Sequence, residues 1–418
     1  LDLAVSGREE TMDPERRKAL NIEIHYAIAQ FLYWAAACCL QGFTAVFLSS
    51  RGMSDGMVGI AVSMTSVAAI FLQLFVSNFC DRHPEIPLKK ITVAVSVISF
   101  VFVSVLHFTR PSIALIALLF MLADAPQKTN NGLLNAVMVQ YVNVGLPVNY
   151  GWPRGIGSLG WAGGALIFGR LIAIYSPELL LSLFLGIEVL AIIAMLTMPS
   201  VAVVRRSKAG KGTTSYGEML KSNKALALFL LSLIIMGIGQ APLGTFLNRM
   251  IESVGGGTRE MGVAILIQSG MELPIMFMSG MLLHYLSPGA LLCVSFTAYS
   301  LKSVAFMCCR SLAGIYATMF TGLFCYGIYG FAGVLYANDI VQADQKVRAQ
   351  SLSSLCFTGG IGGVVGNAIG GVLMDRFGLR FIYWFSLVLS LIAVSLMVLS
   401  LRALKEKQAA AALESAAE

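Results

Sequence analysis

The chain has 418 residues, of which 57% are hydrophobic and only 12% charged, with a formal net charge of +7. A soluble domain carries about twice that charged fraction, and apolar runs of about 20 residues, long enough to cross a bilayer, recur from end to end. This excludes a soluble globular domain. It also removes the need for a nucleic-acid partner, because Lys and Arg collect on the cytoplasmic loops of membrane proteins.

Residues 1–20 are polar and lack an apolar core, so they read as a cytoplasmic tail and not as a cleavable signal. Twelve apolar segments follow, at about 24–48, 56–79, 90–109, 112–140, 152–174, 178–199, 224–247, 259–283, 289–308, 312–337, 349–373 and 380–401. An even number puts both termini on one side. Eighteen basic residues fall on that side and seven on the other, which makes it the cytoplasm. The expected fold is an all-α membrane protein with 12 transmembrane helices in two six-helix bundles. The first bundle covers 21–200 and the second 223–403, with a cytoplasmic tail at 404–418. Between the bundles, 201–222 carries Arg205, Arg206, Lys208 and Lys211 and reads as a flexible cytoplasmic linker. The halves echo one another: Gln41 to Leu48 and Gln240 to Leu247 share their spacing, and each is followed by a glycine-containing hairpin.

Segment 4 holds Asp124, Gln127, Lys128, Thr129, Asn130, Asn131 and Asn135 in an otherwise apolar run. Asp124 and Lys128 are one helical turn apart and can face each other. Arg154 opens segment 5 just after Pro153, a residue suited to a first helical turn. Charge inside a membrane is costly and is kept mainly where it faces a bundle interior or a water-filled cavity. Lys128 and Arg154 are therefore expected to donate to substrate oxygens, with Gln127, Asn130, Asn131 and Asn135 fixing orientation. The alternative is an ion pair that only holds segments 4 and 5 in register. Glu272, flanked by apolar residues with Pro274 two positions on, is the first candidate for a proton carrier and Asp124 the second. Permanent pairing of Glu272 with Lys302 is the competing reading.

Other polar groups point to structure. Arg170 can snorkel, Glu188 is expected to pair within the first half, and Glu23 and His25 to sit at the interface. Phe31, Tyr33, Trp34, Tyr326 and Tyr329 could stack on a ring but read singly as packing or lipid-facing. The eight cysteines form no CxxC pair and read as packing residues. The glycines from Gly359 to Gly371 read as a helix-packing face, or as a surface for sliding. The sequence holds no phosphate-binding loop, metal cluster or nucleophile constellation, so no cofactor or metal is expected.

Twelve segments, a six-plus-six split and a basic central loop resemble the major facilitator superfamily. Asp81-Arg82, followed by Lys89-Lys90, resembles its cytoplasmic Gly-x-x-x-Asp-Arg gating signature, with Ser77 in the place of the glycine. Tyr150-Gly151-x-x-Arg154-x-x-Gly157-Ser158 resembles the branch of the phenylpropionate permease and the lactose permease-like oligosaccharide–proton symporters. In that branch segments 4 and 5 line the central cavity, Glu272 stands where an acid is kept, and Lys302 where an arginine is kept. Asn135 departs from the branch's aspartate, and the histidine of segment 10 is replaced near Gly333.

The resemblance implies a proton-coupled symporter of the inner or plasma membrane. It would take up a sugar, oligosaccharide or aromatic carboxylate by alternating access, as a monomer whose partners are solute, protons and lipid. Asp124, Gln127, Lys128, Asn131, Asn135, Arg154, Lys302 and Tyr326 are expected around a shared aqueous pocket. A drug–proton antiporter, or a transport-inactive receptor or scaffold with the same fold, are the alternatives.

Overall fold

The computed structural model describes residues 14–83, 85–149, 151–199, 216–342 and 345–417. Their regular structure is helical throughout. The first half comprises α1 (Pro14–Ala37), α2 (Thr44–Ser50), α3 (Asp55–Arg82), α4 (Leu88–Phe108), α5 (Ile113–Asn143), α6 (Gly151–Ile174) and α7 (Leu179–Thr197). The second begins with α8 (Tyr216–Ser222), α9 (Lys224–Thr245), α10 (Leu247–Glu252), α11 (Thr258–Phe277), α12 (Ser279–Tyr285) and α13 (Pro288–Cys308). It continues with α14 (Leu312–Met319), α15 (Tyr326–Asp339), α16 (Lys346–Cys356), α17 (Ile361–Phe377) and α18 (Leu379–Ala417). Residues 216–222, expected within a flexible linker, are thus helical, while the linker's basic cluster lies outside the described residues.

Among the described residues, nine helices are long and apolar enough to cross a membrane, or ten if the bent α1–α2 pair is one span. The 31-residue α5 is outside that set, because the polar stretch from Asp124 to Asn135 interrupts its apolar run. Large apolar side chains point outward all along the spans, as do Phe71, Leu74 and Phe75 on α3 and Leu190 and Ile193 on α7. A soluble protein would bury such rows; here they meet lipid.

Helix starts follow from local chemistry. Ser287 accepts from the Ala290 amide (3.3 Å) with Pro288 in the first turn of α13, and Asn223 accepts from the Leu226 amide (3.1 Å) at the start of α9. The internal repeat is visible in the backbone. Helix breaks at Phe43 and Phe246, left-handed glycines at Gly52 (φ 87°) and Gly255 (φ 82°), and restarts at Asp55 and Thr258 recur at one constant offset. In that register Gln41 does not match Gln240; the sequence pairing was one helical turn out.

The chain divides into two compact units. The first contains the described parts of Leu1–Phe43, Ala68–Phe168 and Glu178–Ser207. The second contains Thr44–Val67, Gly169–Pro177 and the described part of Lys208–Glu418. In the second, the glycines of α17 form a packing face: a side chain at Gly362 would meet the backbone of Gly237 on α9 at 2.8 Å.

Candidate functional site

In the first unit, α1 and α5 are joined by a polar zipper. Gln41 donates to Asp124 Oδ1 (3.0 Å), Tyr33 donates to the Gln127 carbonyl (2.9 Å), and Tyr26 donates to Asn135 Oδ1 (3.2 Å). Gln30 donates to Tyr26 (2.6 Å) and Asn135 (3.3 Å). The α1 number falls as the α5 number rises, as antiparallel helices require. Along each segment these residues are spaced three, four or eight positions apart, one or about two helical turns, so each presents one polar stripe. Two local breaks shape it. Cys38–Gly42 is a π-helical turn, a feature often found at functional sites, and it carries Gln41. Pro126 inside α5 removes an amide donor from the helix ladder, and Ser99 donates to the nearby Ala123 carbonyl (2.6 Å).

Asp124 is 2% exposed and pairs with Lys128 at 3.3 Å, as the four-residue spacing led one to expect. Arg154 has no carboxylate partner among the described residues. Its guanidinium lies over the Trp34 ring, 5.0 Å from the centroid, and Trp34 donates to Gln30 (3.1 Å) and meets Trp161 edge to face. The Arg154-x-x-Gly157 spacing gains a physical reason: a Cβ on Gly157 would run into the Trp34 ring. The bare glycine lets α1 approach so closely that Trp34 lies under the arginine one turn earlier. The buried amide oxygens of Gln127, Asn130 and Asn131 have no hydrogen-bond partner among the described residues. The three unmet acceptors lie within one turn of Lys128 on α5, and each calls for a donor that the described residues do not supply.

In the second unit, Lys302 on α13 is 5% exposed and donates to Gln268 on α11 (2.8 Å). The rings of Phe306 and Tyr326 flank it at 5.8 and 5.9 Å. Glu272, one turn beyond Gln268, lies within electrostatic reach. Tyr326 packs edge to face on Tyr299. Gln240 is closed off by Ser386 (3.0 Å) and Ser390 (2.9 Å), a satisfied structural knot. Elsewhere in this unit, Asp55 holds Arg249 through Nε at 2.9 Å. Burial works against the charge of Arg249, but the hydrogen bonds it donates to Asp55 and Glu252 outweigh it and raise its pKa above the ordinary arginine value. Asp375 accepts from Ser54 (2.8 Å) and the Gly56 amide (2.9 Å) at the start of α3.

The MFS_1 like family matches residues 23–385. The chain belongs to the MFS_1 like family. No curated protein matches the sequence. A crystal structure of the nucleoside transporter NupG is 15% identical, with a TM-score of 0.77, covering 92% of this chain and 99% of that one. A point mutant of NupG gives 14% and 0.78, covering 91% and 99%. A bacterial homologue of the human lysosomal transporter Spinster, in an inward-facing and unoccupied conformation, gives 12% and 0.66, covering 94% and 98%. These likenesses carry the fold. By its family the protein is a multi-pass MFS transporter.

The transporter's expected site residues fall into both units. Asp124, Gln127, Lys128, Asn131, Asn135 and Arg154 belong to the zipper and its flank, and Lys302, Tyr326 and Glu272 to the second unit. Asp81 stands in the last turn of α3, its side chain outside the described set, and Arg82 beside it is exposed. Tyr150 of the motif also lies outside the described residues. Sequence reasoning missed Tyr26, Gln30 and Gln41, and it took Tyr33 and Trp34 for packing. It also placed Glu23 at the interface. There Glu23 is fully buried against protein and accepts from Arg16 (2.9 Å), the Asn149 amide (2.8 Å) and Trp152 (2.9 Å), partners that sequence reasoning did not name.

Proposed function

We propose that this transporter is a proton-coupled symporter that takes up a small organic solute by alternating access. In this reading the chain crosses the inner or plasma membrane twelve times, with both termini cytoplasmic, and acts as a monomer. The observation that carries it is the set of unmet acceptors at Gln127, Asn130 and Asn131, within one turn of Lys128 on α5, in the unit that also holds Arg154 over Trp34. Hydroxyl groups would satisfy the amide oxygens, an oxyanion would suit the cations, and the exposed part of Trp34 offers a face for a ring. That favours a sugar, an oligosaccharide or an aromatic carboxylate. A nucleoside joins a sugar to a flat base and fits the same chemistry, and the fold likeness to NupG supports including it. Glu272 and Asp124 are assigned the coupling proton, each beside a lysine whose charge can compete with it.

The test is a solute screen in proteoliposomes with an imposed pH gradient. Accumulation of one of these solutes when the outside is acidic, collapsing with a protonophore, supports the assignment. Uptake that is indifferent to the gradient removes the proton. Expulsion driven by external acid supports the antiporter, and saturable binding with no flux supports the receptor.

A further inference from the structure

Glu188 lies midway along α7, 1% exposed, and neither carboxyl oxygen has a hydrogen-bond partner among the described residues. It does not pair within the first half as its sequence context suggests. α7 packs against α1, the π turn and α4. The titratable groups that face Glu188 from these elements are Tyr33 on α1 and Cys39 in the π turn. From α4 the Ser96 hydroxyl comes near the carboxyl but stays outside hydrogen-bond geometry. The remaining charges of α4 lie at its ends, where Lys89 donates to the Met198 carbonyl (2.6 Å) and His107 approaches Ser182. A carboxylate in this position would have left water with neither a bonded donor nor a counter-charge to replace it. A carboxylic acid loses far less, because it carries no net charge.

Two side chains connect this pocket with the zipper. Tyr33 lies within electrostatic reach of Glu188 on one side and of Asp124 and Arg154 on the other, and its hydroxyl is bonded to the Gln127 carbonyl. Ser96 accepts from Asn130 Nδ2 (2.9 Å), and the Asn130 oxygen is unmet. A change at the amide stretch of α5 therefore reaches two of the three groups near Glu188, Tyr33 and Ser96.

We propose that Glu188 is a proton-binding site of this transporter, separate from the Asp124–Lys128 pair and from Glu272. It holds its proton as a carboxylic acid while the pocket is dry. When movement of Tyr33 or Ser96 admits water, the acid O–H bond breaks, the proton leaves on a water molecule as hydronium, and the electron pair stays on the carboxylate. Reprotonation from hydronium reverses the step. Proton occupancy stands on the pocket alone; its use in transport rests on the symport reading above.

Infrared difference spectra of the whole protein in lipid nanodiscs, titrated with pH, test the proposal without any solute. At neutral pH the wild type should show a carboxylic-acid carbonyl band that Glu188→Gln removes and Glu188→Asp restores at a shifted position. The band should vanish reversibly at alkaline pH while the helical amide signal persists. Identical wild-type and Glu188→Gln spectra, or a band that never titrates in the folded protein, overturn it. In proteoliposomes Glu188→Gln should lose uphill accumulation while keeping solute exchange; full accumulation would remove the site from the cycle even with the infrared band present. A wild type that moves no solute would instead count against the symport reading and leave the infrared result standing.

Discussion

Removing the Lys128 charge isolates the worth of the pair it makes with Asp124. The two charges are 3.3 Å apart, with the lysine side chain 26% exposed and the aspartate 3%. At an effective dielectric constant of about 20 their attraction is roughly 5 kcal/mol. Water reaching the lysine lowers this, whereas the aspartate has almost none to fall back on. Breaking such a pair by deleting one member costs about 3 kcal/mol, mainly because the other charge stays buried. Lys128→Met should therefore destabilise the protein by about 3 kcal/mol in thermal melts in detergent, even though Gln41 still donates to Asp124. Asp124→Asn with Lys128→Met should recover all but about 1 kcal/mol, since no orphan charge remains. A Lys128→Met protein that melts with the wild type would refute this reasoning. The double variant also separates structure from function: restored stability with lost uptake makes the pair part of the site, and restored uptake makes it a strut.

Glu272→Gln should abolish uphill accumulation yet preserve counterflow; accumulation that survives excludes Glu272 from coupling. Trp34→Leu removes the ring under Arg154 and should weaken apparent solute affinity about tenfold, a loss of about 1.4 kcal/mol, with Trp34→Phe intermediate. Equal affinity in all three proteins would show that the ring is idle. Asp55→Asn should lower thermal stability by about 1 kcal/mol at low salt and by less at about 1 M salt, because the Arg249 pair is partly exposed. A salt-independent loss would mean that packing, not charge, holds that contact.

The helical segments and the polar group on α5 were legible because intramembrane charge and twenty-residue apolar runs are strong signals. Asp124 with Lys128 followed from a four-residue spacing, and Arg154 from its motif. The stripe that runs from α1 into the π turn was present in the sequence too, but Tyr33 and Trp34 were weighed singly and Tyr26, Gln30 and Gln41 were not weighed as site residues, so their shared face went unseen. Other features had no local signal. The π turn that carries Gln41 is a defect of helix geometry. The acceptor of Lys302 is an amide, Gln268, where a carboxylate stood one turn away. Glu23 is satisfied partly by a backbone amide, and a sequence does not say which distant loop will supply one. Glu188 was expected to have a partner because a buried charge needs one; a neutral acid does not.

The central claim is that solute binds at the α1–α5–α6 cluster. Titration calorimetry of wild type and Arg154→Ala, with the solute that the screen identifies, tests it most directly. The account predicts that affinity falls at least about tenfold while thermal stability holds. Equal dissociation constants for the two proteins would place the solute elsewhere and contradict it.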